Sequence, residues 1–185
     1  MLSASELKNA RRAYSEDGII AYPTEAVYGL GCNPESEVAL EKIFSIKNRS
    51  SLKGLIIVAA NFEQLSPYIE TKEIKDLDQI LSTWPGPFTW IFPSKASVSD
   101  EITGGRTSIA VRVSGHPIVQ SLCLALGPLV STSANPSNAE AARSAVEVKN
   151  YFPTEIDCLI DAPLGDQKKP TEIRDAITKK ILRKA

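Results

Sequence analysis

Apolar and polar positions alternate along the chain in a way that predicts interleaved helices and strands. A capping-box pattern at Ser3 and Glu6, followed by apolar residues at helical spacing, predicts a first helix that ends before Gly18. Continuous apolar runs at 19–22 and 55–59 predict strands that are covered on both faces. The same patterns predict helices that begin at Ser36 and Asn61 or span 74–84, 117–126 and 144–152, and strands at 88–92, 108–113, 129–132, 158–161, 171–175 and 180–183.

This order of elements predicts an α/β fold with some α+β character. Helices and strands are interleaved, but several neighbouring strands are close enough along the chain to form hairpins, so a single twisted mixed sheet flanked by helices fits better than a parallel one. No repeat, low-complexity tract or linker interrupts the pattern. The 185 residues are therefore predicted to form one domain, spanning 1–185.

The composition narrows the class of protein. The chain is 43% apolar and 23% charged, which is typical of a globular protein, and its formal net charge is −1. That charge argues against a polybasic nucleic-acid binder but permits a local basic patch. No signal peptide is recognised, and no apolar stretch approaches the ~18 residues of a membrane span. The sequence predicts a cytoplasmic protein without membrane contact.

Cysteine and histidine are scarce, which argues against several kinds of site. The three cysteines are widely separated, and His116 is the single histidine. This set does not favour a zinc site, a disulfide framework or catalysis by a Ser-His-Asp triad. Because His116 directly precedes Pro117 at a predicted helix start, it is interpreted as a turn or cap residue rather than a catalyst.

Lys47 and Arg49 lie at the predicted C-terminal end of the second helix. One interpretation is that these cations complement the helix dipole. The other is that two cations two residues apart converge on one polyphosphate. Spacing alone leaves both open. Because a helix end is polar, replacement of either residue is expected to affect folding little.

Arg112 lies within the strand predicted at 108–113, on the same face as Ser108 and Ala110. The rest of this strand has the pattern of a buried one, and a buried charge requires a partner. That partner is either an internal acid or an anionic ligand.

Ser131-Thr-Ser-Ala-Asn135 follows a further strand, and its polar groups could bond a phosphate or carboxylate, or merely form a turn.

Several short segments are informative when they are considered together and in their order along the chain. They are Tyr22-Pro-Thr-Glu-Ala-Val-Tyr-Gly-Leu-Gly31, Lys47-Asn-Arg49, Lys53-Gly-Leu-Ile-Ile57, Trp84-Pro-Gly-Pro-Phe-Thr89, Ser108-Ile-Ala-Val-Arg112, Ser131-Thr-Ser-Ala-Asn135, Pro170-Thr-Glu-Ile173 and Ile181-Leu-Arg183. This ordered set resembles the YrdC/TsaC family of threonylcarbamoyl-AMP synthases. The match extends from about Gly18 to Arg183, and the chain resembles the family's short bacterial form without the extra C-terminal domain.

The resemblance implies a twisted α/β sheet around a large, positively charged concave cavity. It implies a nucleotidyltransferase that converts L-threonine, bicarbonate or CO2, and ATP into threonylcarbamoyl-AMP and pyrophosphate, with Mg2+ held mainly by the ATP phosphates. Other proteins would then transfer the threonylcarbamoyl group to tRNAs that read ANN codons, forming threonylcarbamoyladenosine. Because the amine of threonine can take up CO2, the nucleophile would come from the substrate. The scarcity of histidine is then no obstacle.

The resemblance also implies roles for particular residues. By position, the family's catalytic tetrad, which holds the nucleotide phosphates and metal, corresponds to Lys47, Arg49, Ser133 and Asn135. Further ATP contacts correspond to Ser108, Arg143 and Arg183. The threonine-binding positions correspond to Thr24, Arg112, Ser131 and Thr171.

The chain departs from the family pattern at a few positions. Ser50 and Asn138 stand where proline and glycine often occur, although asparagine tolerates left-handed backbone. Thr171-Glu172 replaces a common Ser-Thr pair, which keeps a hydroxyl at Thr171.

The alternative function is a double-stranded RNA or tRNA-binding module that uses the basic concavity without catalysis. A non-catalytic relative is disfavoured because all four tetrad residues are retained.

Overall fold

The computed structural model describes residues 2–184, which form one nine-stranded mixed sheet. The strands are β1 (Ile20–Pro23), β2 (Tyr28–Gly31), β3 (Ile56–Ala59), β4 (Phe88–Pro93), β5 (Ser108–Val113), β6 (Leu129–Ser133), β7 (Cys158–Leu159), β8 (Glu172–Asp175) and β9 (Ile181–Arg183). Their spatial order is β7-β1-β2-β6-β3-β5-β4-β8-β9. Three pairs, β1–β7, β3–β5 and β4–β8, are parallel, and the other five are antiparallel. The predicted mixed sheet is confirmed.

Helices lie on both faces of this sheet. They are α1 (Ala4–Ser15), α2 (Glu37–Lys47), α3 (Leu77–Leu81), α4 (Asp100–Thr103), α5 (Pro117–Leu126) and α6 (Ala145–Tyr151). The capping box of Ser3 and Glu6 forms as predicted, and Ser36 caps α2. His116 caps α5, since its Nδ1 accepts a hydrogen bond from the Ile118 N–H. The cap interpretation of His116 is confirmed.

The structure differs from the predicted elements in several places. The helix predicted from Asn61 is a short 3-10 helix at Glu63–Leu65, and α4 was not predicted. The helix predicted across 74–84 is reduced to α3, because Asp76 adopts a left-handed conformation (φ 57°) that interrupts the helical path. The strand β2 was not predicted, since two glycines lower the strand propensity of this segment. A signal for it exists, because Tyr28, Leu30 and Cys32 recur with a period of two and pack in one core cluster.

The two faces of the sheet are covered to different extents. The larger core cluster fills one face, where α2 and α6 pack on side chains such as Leu30, Ile57 and Val111. On the other face, α1 and α5 cover only one end, over Ile20, Val58 and Leu129. The remainder of that second face is open, and it forms the floor of a large cavity.

No helix within residues 2–184 is both long enough and apolar enough to cross a bilayer.

Candidate functional site

The open part of the sheet face holds a cavity of about 650 Å³. Its lining includes five cationic side chains, from Arg49, Lys53, Arg106, Arg112 and Arg183. None of the lining residues is acidic. A chain with a net charge of −1 therefore concentrates positive charge in one hollow, as the resemblance implied. Such a hollow attracts and retains anionic ligands.

The sequence of the central strands explains why this part of the face stays open. On β6 the residues that point to this face change from Leu129, under α5, to Ser131 and then Ser133 in the cavity. Small and polar side chains leave space that large aliphatic side chains would fill. On β5, Ala110 and Ser108 do the same, and the predicted common face of Ser108, Ala110 and Arg112 is confirmed.

The strand register separates two ends of the cavity. Arg112 and Leu129 both pair with Val58 of β3, so Arg112 lies level with the covered part of the sheet. Ser133 lies four residues beyond Leu129, which is about 13 Å along the strand. We call the end around Arg112, Thr171 and Glu25 the inner end. The end around Arg49, Ser133 and Asn135 is called the outer end.

At the inner end, Arg112 is buried and has partners on two sides. Its Nη1 donates to Oγ1 of Thr171 at 2.7 Å, and its Nη2 lies 3.5 Å from Oε2 of Glu25. The internal ion pair considered for Arg112 is therefore present. Arg112 nonetheless lines the cavity together with Thr24, Ser131 and Thr171, so the structure brings all four predicted threonine-binding residues to one hollow. Their role in binding threonine stays a prediction.

At the outer end, Lys47 does not take the position that was expected. It ends α2 as predicted, but it is only 3% exposed and lies under the 133–135 segment. Its Nζ donates to the carbonyl of Ser133, to the carbonyl of Asn135 at 2.6 Å and to Oδ1 of Asn135 at 3.4 Å. These three acceptors match the three N–H groups of an ammonium. The expectation that Lys47 sits at a polar helix end is wrong, because the segment that follows β6 covers it.

Burial and the nearby charge of Arg49 lower the pKa of Lys47 to about 8. The group is therefore mainly protonated at neutral pH but titrates close to it. Asn48 adopts a left-handed conformation with φ 47°, so the chain turns between the two cations. Lys47 and Arg49 consequently contact different groups and do not form a simple pair of adjacent phosphate ligands.

Arg49 does line the cavity. One of its terminal nitrogens donates to the carbonyl of Gly54 at 3.0 Å, and its Nε is buried without a hydrogen-bond partner among residues 2–184. Ser133 and Asn135 also line the cavity, and the Ser133 hydroxyl donates to Oδ1 of Asn135 at 2.5 Å. Three of the four tetrad residues therefore reach the outer end of the cavity, and Lys47 supports two of them from beneath.

The remaining predicted ATP contacts separate into two groups. Ser108 and Arg183 line the cavity, and Arg183 donates to the carbonyl of Thr171 at 2.7 Å. Arg143 is exposed and is not among the lining residues. It immediately precedes Ser144, the cap of α6, and its backbone N–H bonds the Glu147 side chain. The structure does not bring Arg143 to the site.

Sequence reasoning missed two cationic residues of the cavity. Lys53 was quoted only as part of a matching segment, and Arg106 by itself resembles a solvated surface residue. Arg106 is held at the rim because its guanidinium donates to the carbonyls of Leu52 and Thr103. The carbonyl of Leu52 is 54 positions away in sequence. No local signal could have placed Arg106 there.

The residues fit a metal ion only if the ligand supplies most of its coordination. No cluster of three or more potential metal-ligating side chains occurs within 2–184, and the cavity lining contains no carboxylate. At the outer end the hydroxyl oxygen of Ser133 lines the cavity, whereas Oδ1 of Asn135 already accepts hydrogen bonds from Ser133 and Lys47. Mg2+ takes oxygen ligands and is commonly bound through substrate phosphates and water.

A known protein family matches most of the chain. The Sua5/YciO/YrdC family model, described as "Telomere recombination", matches residues 12–185. The chain belongs to this family. The ordered sequence motifs had already indicated this family, and the resemblance is confirmed.

The sequences or structures of individual relatives align with nearly the whole of this chain. The chain is 45% identical over 185 residues to the threonylcarbamoyl-AMP synthase of Pseudomonas aeruginosa (strain UCBPP-PA14), covering 100% of both chains. It is 43% identical over 182 residues to that of Vibrio vulnificus (strain YJ016), covering 97% of this chain and 98% of the relative. Among solved structures, P. abyssi Sua5 complexed with L-threonine superposes with a TM-score of 0.86 at 34% identity. That match covers 95% of this chain and 52% of the Sua5 chain, so this protein spans about half the Sua5 length.

Proposed function

We propose that this protein is a threonylcarbamoyl-AMP synthase that transfers the adenylyl group of ATP to threonine-derived carbamate. One observation carries the proposal: a single hollow with five cationic side chains and no acidic one connects an arginine-anchored inner end with a hydroxyl- and amide-lined outer end. Relatives with this name match the chain at 43–45% identity along nearly its whole length. A relative solved with L-threonine has the same fold.

The reaction joins two anionic reactants. The amine of threonine attacks the carbon of CO2, or of bicarbonate with loss of water, and forms a carbamate. A carbamate oxygen then attacks the α-phosphorus of ATP, and the bond to the bridging oxygen breaks as pyrophosphate leaves. No step requires a nucleophile from the protein. What the protein has to supply is close approach of like-charged groups and stabilisation of the charge that develops.

The two ends of the cavity would bind different reactants. Arg112 would bind the threonine carboxylate at the inner end, with Thr24, Ser131 and Thr171 around the rest of the amino acid. At the outer end, Arg49, Ser133 and Asn135 would hold the phosphates. Arg183 and Ser108 lie along the same floor and would contact ATP. In this arrangement Lys47 holds the 133–135 segment in the conformation that presents its polar groups.

Mg2+ is expected as a companion of ATP, and when bound it would neutralise phosphate charge. The hydroxyl oxygen of Ser133 would contact it, and the amide oxygen of Asn135 would do so only in place of its hydrogen bonds from Ser133 and Lys47. The lack of a carboxylate in the cavity lining is compatible with this, because ATP would supply most of the ligands.

The product is expected to pass to proteins that transfer the threonylcarbamoyl group to tRNA. A purely RNA-binding function is not favoured. Duplex RNA is recognised across about 16 base pairs of open surface. A recess of about 650 Å³ suits a nucleotide and an amino acid instead.

The function is tested by incubating the protein with ATP, Mg2+, bicarbonate and L-threonine. We expect pyrophosphate release that requires all the components, together with a mass-spectrometric peak for threonylcarbamoyl-AMP. Pyrophosphate release that continues without threonine would refute the proposal. Omission of bicarbonate from degassed buffer is the matched control, because it removes the carbon source while leaving both other substrates.

A further inference from the structure

Behind the inner end of the cavity lies a carboxylate to which no role has been given. Glu25 follows β1, is 7% exposed and does not line the cavity, yet its Oε2 is 3.5 Å from Arg112. We propose that Glu25 is a positioning residue that holds the guanidinium of Arg112 in the orientation that binds the carboxylate of the amino-acid substrate. The inference rests on the proposed function, since it assumes that the inner end binds threonine.

The first argument is the way in which Arg112 is held. Its two terminal nitrogens have different partners, Thr171 before β8 and Glu25 after β1, which belong to distant parts of the chain. The hydrogen bond to Thr171 on one side and the ion pair with Glu25 at 3.5 Å on the other both restrict rotation of the planar guanidinium. Removing one contact would leave Arg112 tethered only through Thr171, and its guanidinium could then turn.

The second argument is that Glu25 itself is firmly anchored. Its Oε1 accepts from the Ser114 hydroxyl at 2.6 Å and from the Gly115 N–H at 3.2 Å, just before α5 begins. The backbone carbonyl of Glu25 accepts from the Gln167 N–H at 3.0 Å. A Cβ at Gly165 would lie 3.0 Å from the Cα of Glu25, so the chain packs tightly over it. The carboxylate therefore acts as a fixed point and not as a mobile counterion.

The third argument is electrostatic. Burial raises the pKa of Glu25, but the charge of Arg112 and the hydrogen bond from Ser114 outweigh it and leave the pKa below its ordinary value. Glu25 is consequently ionised at neutral pH and balances the buried charge of Arg112. A neutral side chain in its place would leave that charge uncompensated, and a buried unpaired cation tends to move towards water.

The test is Glu25→Gln, a change that keeps the size of the side chain and removes its charge. We expect the KM for threonine to rise about 30-fold or more, the loss expected when one member of a buried charge pair is removed. The KM for ATP and the kcat at saturating threonine should stay within about 3-fold. Glu35→Gln is the matched control, because Glu35 bonds Tyr68 and lies outside the cavity lining.

A second set of variants separates positioning from general damage to the fold. Glu25→Asp keeps the charge and should recover part of the threonine affinity. In an Arg112→Ala background, Glu25→Gln should change the threonine KM by no more than about 2-fold, because Glu25 acts through Arg112. Equal rises in the KM for threonine and for ATP would overturn the inference. So would full additivity of the two substitutions.

Failure of this inference can be told apart from failure of the proposed function. Threonine binding to the wild-type protein and to Glu25→Gln can be measured directly by calorimetry, without turnover. If the wild type binds threonine but makes no adenylate, the proposed function fails, while weaker binding by Glu25→Gln still supports the inference. If the wild type makes the adenylate and Glu25→Gln binds threonine equally well, only the inference fails. If the wild type binds no threonine, both fail.

Discussion

The inner and outer ends of the cavity hold their cations in different ways. At the inner end, Arg112 is 6% exposed, hydrogen-bonded to Thr171 and paired with an anchored carboxylate. At the outer end, Arg49 is only partly buried, Ser133 is exposed, and Lys53 and Arg106 reach the rim from loops. One end is organised before any ligand arrives. The other end distributes charge over several side chains, of which Arg49 is partly buried and Arg106 is exposed.

This difference matches the two ligands of the proposed reaction. A single carboxylate offers two oxygens in one plane, so a guanidinium held in one orientation can select it by geometry. A triphosphate carries several charges on many oxygens. Several cations placed around it can share the stabilisation of these charges. Selectivity is thus expected to reside at the inner end and a large share of the charge neutralisation at the outer end.

Arg112→Ala is expected to raise the KM for threonine more than any other substitution. A small effect would contradict the proposed difference between the two ends of the cavity. We expect the KM for threonine to rise about 100-fold or more, since a buried charge pair and a direct ligand contact are both lost. The KM for ATP should change by less than about 3-fold. Loss of the partner also leaves Glu25 buried and unpaired, so the melting temperature should fall. Arg112→Lys should rescue little, because an ammonium cannot reproduce the planar contacts.

Lys47→Met should affect the outer end and the fold together. The carbonyls of Ser133 and Asn135 would lose a shared donor, and buried acceptors without partners cost about 1–3 kcal/mol each. We expect a lower melting temperature. The KM for ATP should rise about 10-fold, because Ser133 and Asn135 are no longer held in place. Unchanged thermal unfolding would contradict the supporting role of Lys47.

Arg49→Ala should weaken ATP binding with little change in stability. Its guanidinium makes one hydrogen bond, to Gly54, and is only partly buried. Loss of a charge-assisted contact to phosphate is expected to raise the KM for ATP about 10-fold. The KM for threonine should be nearly constant. An equal rise in both values would mean that the two ends do not act separately.

The pH dependence should also distinguish the ends. Because the pKa of Lys47 is lowered to about 8, its charge is lost as the pH rises through that value. The KM for ATP should therefore rise about 2- to 5-fold between pH 7.5 and pH 9, as the fraction of charged Lys47 falls. Lys47→Met should abolish this dependence. A rise that persists in Lys47→Met would assign it to another group.

The same shift has a defined consequence for stability. The pKa of Lys47 in the unfolded chain is near 10.4, so between pH 8 and that value the unfolded state binds more protons than the folded state. The contribution of Lys47 to the free energy of unfolding therefore increases with pH across that window. Below pH 8 Lys47 is charged in both states, so the full cost of burying its charge is present. The difference in melting temperature between wild type and Lys47→Met should widen as the pH rises from 7.5 to 10.

The smallest effects are expected for cations at the rim and outside the cavity. Arg106→Ala should raise the KM for ATP about 2- to 3-fold, mainly at low ionic strength, because exposed charges act over a distance that salt shortens. Arg143→Ala is the matched control and should change neither KM, since Arg143 lies outside the cavity lining. A large effect of Arg143→Ala would restore the ATP-binding role that the sequence suggested for it.

Local patterns were sufficient for much of the fold. The capping box at Ser3, the cap at Ser36 and the alternation of residues 108–113 depend on neighbours within a few positions, and all three are confirmed. The left-handed backbone tolerated by an asparagine at position 138 is also present, with φ 69°. The strand β2 escaped prediction because its glycines are required by packing that is remote in sequence. A Cβ at Gly31 would lie 2.5 Å from the backbone carbonyl oxygen of Val130, which is far away in sequence.

The site was predicted less completely, for a related reason. The cavity is formed by cationic side chains that are distant in sequence. Which of them meet there is decided by the folded sheet and not by local sequence. Lys47 was expected to face phosphate, but the 133–135 segment, about 86 positions away, covers it. Glu25 was quoted within a motif and given no role, since its partner Arg112 is distant in sequence. Arg106 and Arg143 could not be told apart before their positions relative to the cavity were known.

A crystal structure with L-threonine and an ATP analogue whose α–β bridge cannot be cleaved would test the central claim most directly. We predict that the threonine carboxylate contacts Arg112 and that the phosphates contact Arg49, Ser133 and Asn135. The amine should then lie between them, facing the α-phosphorus. Threonine bound away from Arg112, or phosphates placed beside it, would contradict the assignment of the two ends.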